Sequence, residues 1–132
     1  MSLRFEWAKH KELWLWLAEN PCKQKYHWPG WETCTEGNIP IQYCYACDFA
    51  SHMSMNAKPA KGSQEQRQRV LCLKYCPLDW GSGCTCLCAR GYDPDPGLYE
   101  LWGYASPDEE LRSYYARQIA NLPLKKWAEA YV

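Results

Sequence analysis

Cys44 and Cys47 stand three positions apart in YCYACDFA, and Cys72 and Cys76 stand four apart in VLCLKYC. Two thiol pairs separated by twenty-four residues constrain this chain most, because they can hold distant segments at one ion. The C-x2-C spacing lets both thiolates face a tetrahedral ion. If the second pair lies on a helix, its members share a face with Cβ atoms about 6 Å apart. The whole pattern approximates a four-ligand structural zinc site, so zinc at Cys44, Cys47, Cys72 and Cys76 is the expected cofactor. A closed set of four thiolates keeps no open coordination position. It builds structure and does no hydrolysis.

That expectation needs reduced thiols. The first residues, MSLRFEWAKHKELW, carry charges throughout and no apolar core of a signal peptide. No run of about 18 apolar residues could span a membrane. Both features point to a reducing, cytoplasmic setting, where clustered cysteines serve metals or catalysis. Nine cysteines, an odd number, also fit a disulfide framework poorly. Other chemistries lack parts. A thioredoxin-like pair needs its C-x2-C at the start of a helix within a βαβ unit, and no such alternation is legible. A zinc deaminase needs H-x-E and P-C-x-x-C; His10 to Glu12 spell the first, but Tyr43 stands where proline is required. For a cysteine hydrolase, nothing in the sequence positions one of the three histidines as a base. The protein is read as a non-enzyme.

CTCLC sets Cys84, Cys86 and Cys88 on one face of a strand, about 6.6 Å apart at Cα. Thiolates around zinc lie roughly 3.7 Å apart, from Zn–S bonds near 2.3 Å. A straight strand cannot give all three to one ion, whereas a bent loop with Gly81, Gly83 and Gly91 could. These three form a candidate second cluster that would recruit Cys22, Cys34, His27 or His52. Free thiols are the plainer reading, and exchange of Cys84 for Cys76 at the first site is a further alternative.

Along the chain, Leu3, Trp7, His10, Trp14 and Leu17 follow helical spacing, widened by Leu13 and Trp16, and Asn20 before Pro21 ends the helix. Pro29-Gly30 makes a turn bringing Trp28 and Trp31 together. IPIQY reads as a short strand, residues 51–63 as a flexible loop, and the stretch after Ser63 as a helix stopped by Pro77. LYELWGY reads as another short strand. Ser106 should cap a last strong helix with Pro107 first, Glu109 at the capping-box position, and Leu111, Tyr115, Ile119 and Leu122 on its apolar face. LKKWAEAYV adds a short terminal helix. The expected fold is α+β but mainly helical, one domain over residues 1–132. Its N- and C-terminal helices would pack on a loop-rich, zinc-stabilised centre with a few short strands. Trp14 and Leu17 would meet Leu111, Tyr115 or Ile119.

Fifteen basic residues balance fifteen acidic ones, which argues against broad attachment to nucleic acid or membrane. The positive surplus sits with the cysteines: six basic against three acidic over residues 44–92. Arg67, Arg69 and Lys74 would compensate the net charge of minus two on zinc with four thiolates. The rival reading gives Lys58, Lys61, Arg67, Arg69 and Lys74 to nucleic-acid phosphates, with Tyr43 and Tyr45 stacking on bases. Eight Trp and ten Tyr favour contact with a protein partner instead.

The stretches HKELWLWLAENP, WPGW, GNIP, YCYACDFA, CPLDWG, LYELW and ARQIANLP, in this order, resemble small cysteine-containing proteins encoded in phages and prophages of Gram-positive bacteria. In that pattern the second pair is C-x2-C before Pro-Leu or Pro-Ile, whereas here Cys72 and Cys76 carry one extra residue. The resemblance implies a metal knot in a protein of a bacterial host cell. A phage accessory role would follow, with a host or defence protein, as for an anti-CRISPR, as the partner. It implies no enzymatic activity.

Overall fold

In a computed structural model, the structure describes residues 4–34, 39–40, 43–54, 74–81 and 96–132. Four α-helices organise them: α1 (Trp7–Glu19), α2 (Tyr45–Ser54), α3 (Leu98–Tyr104) and α4 (Glu109–Ala120). Short 3-10 helices cover Lys25–His27, Pro29–Thr33 and Lys126–Tyr131. The architecture is mainly helical. Among the described residues, β-structure amounts to single bridge positions: Leu78, paired with Leu124, and Pro96.

Helix α1 buries His10, Leu13, Trp14, Leu17 and Ala18, one face at three-and-four spacing. It stops at Asn20, whose side-chain amide donates to the Trp16 carbonyl at 2.8 Å. Its principal neighbour is α4, which also packs on α3, while α2 touches α1 more lightly. Two side chains stitch α1 to α4. The His10 Nε2 bonds the Ile119 carbonyl at 3.1 Å, and Ser113 Oγ donates to the Ala18 carbonyl at 2.6 Å. Burial pushes the His10 imidazole down from 6.5 to about 4, so it is neutral and donates. This removes His10 as half of an H-x-E site.

Helix α4 packs with a face rotated from the one its sequence pattern suggests: Ile119 is buried and Tyr115 and Leu122 are half-buried against the core as expected, but Leu111 is not. Arg112, Ala116, Ile119 and Ala120 are buried, whereas Leu111 is 40% exposed. Trp14 consequently meets α3, edge-on to Trp102 at 5.0 Å and Tyr99 at 6.1 Å between ring centroids. The turn comes from Arg112, which is 2% exposed. Its guanidinium donates to the carbonyls of Trp102 (3.3 Å), Pro21 (2.8 Å) and Lys23 (3.3 Å), and to Gln24 Oε1 (3.0 Å). It also lies 4.1 Å over the Trp102 ring. All four acceptors are neutral oxygens.

Other local expectations change too. LYELWGY is α3 and not a strand: Leu101 and Ala105 donate to the carbonyls of Gly97 and Leu101, both at 3.0 Å. The helical turn puts Trp102 inward against α1 and α4, and this packing outweighs the strand preference of its aromatics. The cap of α4 is Asp108, whose carboxylate accepts the Leu111 N–H at 3.0 Å. Ser106 precedes it across a cis bond to Pro107, which places Pro107 in a turn outside the helix. Ile39, Pro40 and Tyr43 are not in a strand, and the start of the expected loop, Ser51 to Ser54, belongs to α2. The remainder of that loop and most of the helix after Ser63 lie outside the described residues. Lys74 and Tyr75 are helical and the helix ends before Pro77, as expected.

Phe49 of α2 joins the C-terminal segment through Trp127 (6.3 Å) and Tyr131 (5.6 Å). On either side of the bridge, Asp79 N–H donates to the Pro123 carbonyl and Lys125 N–H to the Pro77 carbonyl, both at 2.8 Å. The Cys76–Pro77–Leu78 stretch is thereby fixed to the chain after α4. No helix among the described residues is long and apolar enough to cross a membrane.

Candidate metal centre

Cys44 is the residue just before α2, and its carbonyl accepts the Asp48 N–H at 3.0 Å, starting the helix ladder. Its sulfur accepts the Cys47 backbone N–H at 3.2 Å. Tyr43, immediately before, has a φ of 54°, the left-handed region that aromatic residues rarely adopt. This turn presents both thiols of the C-x2-C at the head of α2. The Cys47 thiol, hydrogen-bonded to Cys44, lowers the Cys44 pKa against the opposing effect of burial. Lys25 and the N–H groups of Cys47 and Ala46 act in the same direction.

Cys76 is buried, and burial pushes its thiol up. The Trp80 indole N–H donates to its sulfur at 3.4 Å. Cys76 belongs to the buried core cluster against which Cys44 packs. Of the four expected ligands, Cys44 and Cys47 are therefore adjacent and Cys76 lies in the same core cluster, while Cys72 lies outside the described residues. Among the described residues, no three His, Cys, Asp or Glu side chains form a ligand set. The donor chemistry at the head of α2 nonetheless fits zinc: two adjacent sulfurs, one already receiving a peptide N–H, suit thiolate ligation.

Cys84, Cys86 and Cys88 lie outside the described residues, and their candidate helpers are scattered. Exposed Cys22 donates to Glu109 Oε1 at 2.7 Å. Cys34 is hydrogen-bonded to Tyr45. His27 Nδ1 accepts the Gln24 N–H at 3.0 Å, and His52 Nδ1 bonds the Asp48 carbonyl at 2.8 Å. Of the basic residues, Lys74 is exposed, whereas Lys58, Lys61, Arg67 and Arg69 lie outside the described residues. Tyr45 is buried and cannot stack on a base; exposed Tyr43 instead sits 6.3 Å from exposed Tyr26.

Sequence reasoning missed Lys25 and Trp80 as neighbours of the cysteines. The four-residue spacing of Cys76 and Trp80 in CPLDW was a signal for the second. It also placed Trp28 near Trp31 correctly, edge-on at 4.9 Å. Gly30 is required there, since a Cβ would run into the Trp28 ring. Comparison with known protein families, curated proteins and solved structures gives no match.

Proposed function

We propose that this is a non-enzymatic, zinc-stabilised small protein that acts by contact with another protein. The observation that carries the reading is the paired thiols at the head of α2, with the Cys47 N–H on the Cys44 sulfur and buried Cys76 in the same core cluster. Cys44, Cys47, Cys72 and Cys76 would hold the ion, and zinc would supply a cross-link between the start of α2 and the segment ending at Cys76. Exposed Tyr104, Leu111 and Tyr114 offer apolar area for a partner. The sequence resemblance to phage-encoded proteins supports a phage accessory role in a bacterial cytoplasm. Its specific form is inhibition of a host-defence protein, as an anti-CRISPR does.

Metal analysis of the purified protein tests the core of this reading. One tightly held zinc per chain is expected, and protein purified without chelators that carries no zinc refutes it. Nucleic-acid binding is a second reading, favoured by exposed Tyr43 and Tyr26 beside Lys23 and His27.

A further inference from the structure

We propose that Cys44 and Cys47 form a reversible disulfide by exchange with a low-molecular-weight disulfide, so that the head of α2 has an oxidised as well as a dithiol state. The inference shares these residues with the zinc reading but needs no metal. Its basis is geometric. The side chain and the backbone N–H of Cys47 both hydrogen-bond Cys44. The Cys44 sulfur lies 3.2 Å from the Cys47 peptide nitrogen, so both side chains leave the same first turn. Residues three apart on a helical turn have Cα atoms about 5 Å apart. That lies inside the span of about 4.4–6.8 Å that a disulfide bridges without backbone movement.

The C-x2-C of a dithiol exchanger must open a helix, and this one does. No βαβ unit surrounds it among the described residues, so the inference is confined to the local pair. Cys76 differs from this pair: it is buried and its sulfur holds the Trp80 indole N–H.

The exchange balances without further reactants. The Cys44 thiolate attacks one sulfur of the small disulfide, whose S–S bond breaks, and the departing thiolate leaves with the bonding electron pair. The Cys47 thiol then gives up its proton, attacks the Cys44 sulfur of the mixed disulfide and expels the second thiolate. Two protein thiols are oxidised by two electrons, and one small disulfide becomes two thiols, which take up the two protons.

Oxidised and reduced glutathione are suitable probes. The full chain is incubated in a series of their ratios, free thiols are alkylated, and the protein is cleaved after lysine. Cleavage at Lys25 and Lys61, the Lys58–Pro59 bond being resistant, yields a segment whose cysteines are Cys34, Cys44 and Cys47. The expected product is lighter by two hydrogens, with Cys34 alkylated, a bond between Cys44 and Cys47, and full reversal by excess reduced glutathione. Cys47→Ser should stop at a glutathione adduct on Cys44; if that variant does not fold, mapping of the parent protein decides alone. Alkylation of both residues at every ratio, an unresolved adduct in the parent, or a bond from either residue to another cysteine overturns the inference. Zinc is read in parallel. A disulfide forming in protein without zinc upholds this inference and removes the zinc reading, whereas a zinc-bearing protein whose pair resists every ratio does the reverse.

Discussion

Replacing Arg112 with methionine tests what holds α4 in its observed rotation. Methionine keeps the length and apolar stem but removes five guanidinium N–H donors and the charge. The Trp102 carbonyl is the fully buried acceptor, and orphaning it costs about 1–3 kcal/mol. The bonds to Pro21, Lys23 and Gln24 are only partly buried, so water can take over at roughly 0.5 kcal/mol each. Losing the cation–π contact with Trp102 adds about 1–2 kcal/mol. Against these stands relief from holding a charge out of water with no carboxylate among its hydrogen-bond partners, which offsets about half of the sum. The net expectation is a loss of about 2–3 kcal/mol, or roughly 10 °C in melting temperature for a chain of this size. Urea unfolding followed by circular dichroism measures it, with an unchanged denaturant slope confirming the same unfolded reference. Arg117→Met, on the exposed side of the same helix, is the control and should stay within about 0.5 kcal/mol. An Arg112→Met protein as stable as that control would mean the carbonyls rehydrate freely and the guanidinium is a passenger.

Buried His10 should make stability fall in acid. Its folded pKa of about 4 lies below the ordinary 6.5, so its contribution is complete above pH 6.5 and lost as pH falls toward 4. The loss is about 3 kcal/mol in full and roughly 2 kcal/mol by pH 5. His10→Gln, which keeps an N–H for the Ile119 carbonyl, should flatten this part of the stability–pH curve; curves of equal slope would refute it. Trp14→Ala should cost about 3–5 kcal/mol in thermal melts, and an unchanged melt would show that its contacts with Trp102 and Tyr99 are dispensable. Cys44→Ser and Cys72→Ser should give insoluble or unfolded protein, since structural zinc supplies apparent binding energy on the order of 10–16 kcal/mol. Folded, soluble variants would count against the zinc. In gel shifts at two salt concentrations, little retention of DNA or RNA is expected, whereas steeply salt-sensitive binding at micromolar protein would favour the nucleic-acid reading.

Helix α1 was legible in its face and its end because its apolar residues recur at one spacing and Asn20-Pro21 closes it, but it begins at Trp7 and residues 4–6, expected in it, are not helical. Helix α4 was legible as a helix but not in its rotation. A pattern that counts arginine as polar assigns Arg112 to solvent and Leu111 to the core, yet Arg112 finds four oxygens inside and Leu111 is left out. Those oxygens belong to the turn after α1 and to α3, contacts made 88 to 91 and 10 residues away, which no local window contains. The same blindness turned LYELWGY into a strand, since the inward position of Trp102 exists only once α1 and α4 are in place. At the cysteines, spacing identified the adjacency of Cys44 and Cys47 but not the indole on Cys76.

The bond between His10 and Ile119 spans 109 positions, and it has a consequence during synthesis. Ribosomes add about 5–20 residues per second, so α1 waits roughly 5–20 s before α4 exists to receive it. For that interval Leu13, Trp14 and Leu17 lack the largest surface that covers them, with only α2 and, late in the interval, α3 to lean on. A chain arrested before residue 109 should therefore be a client for holding chaperones, and its solubility should return only as the codons for residues 109–120 are translated.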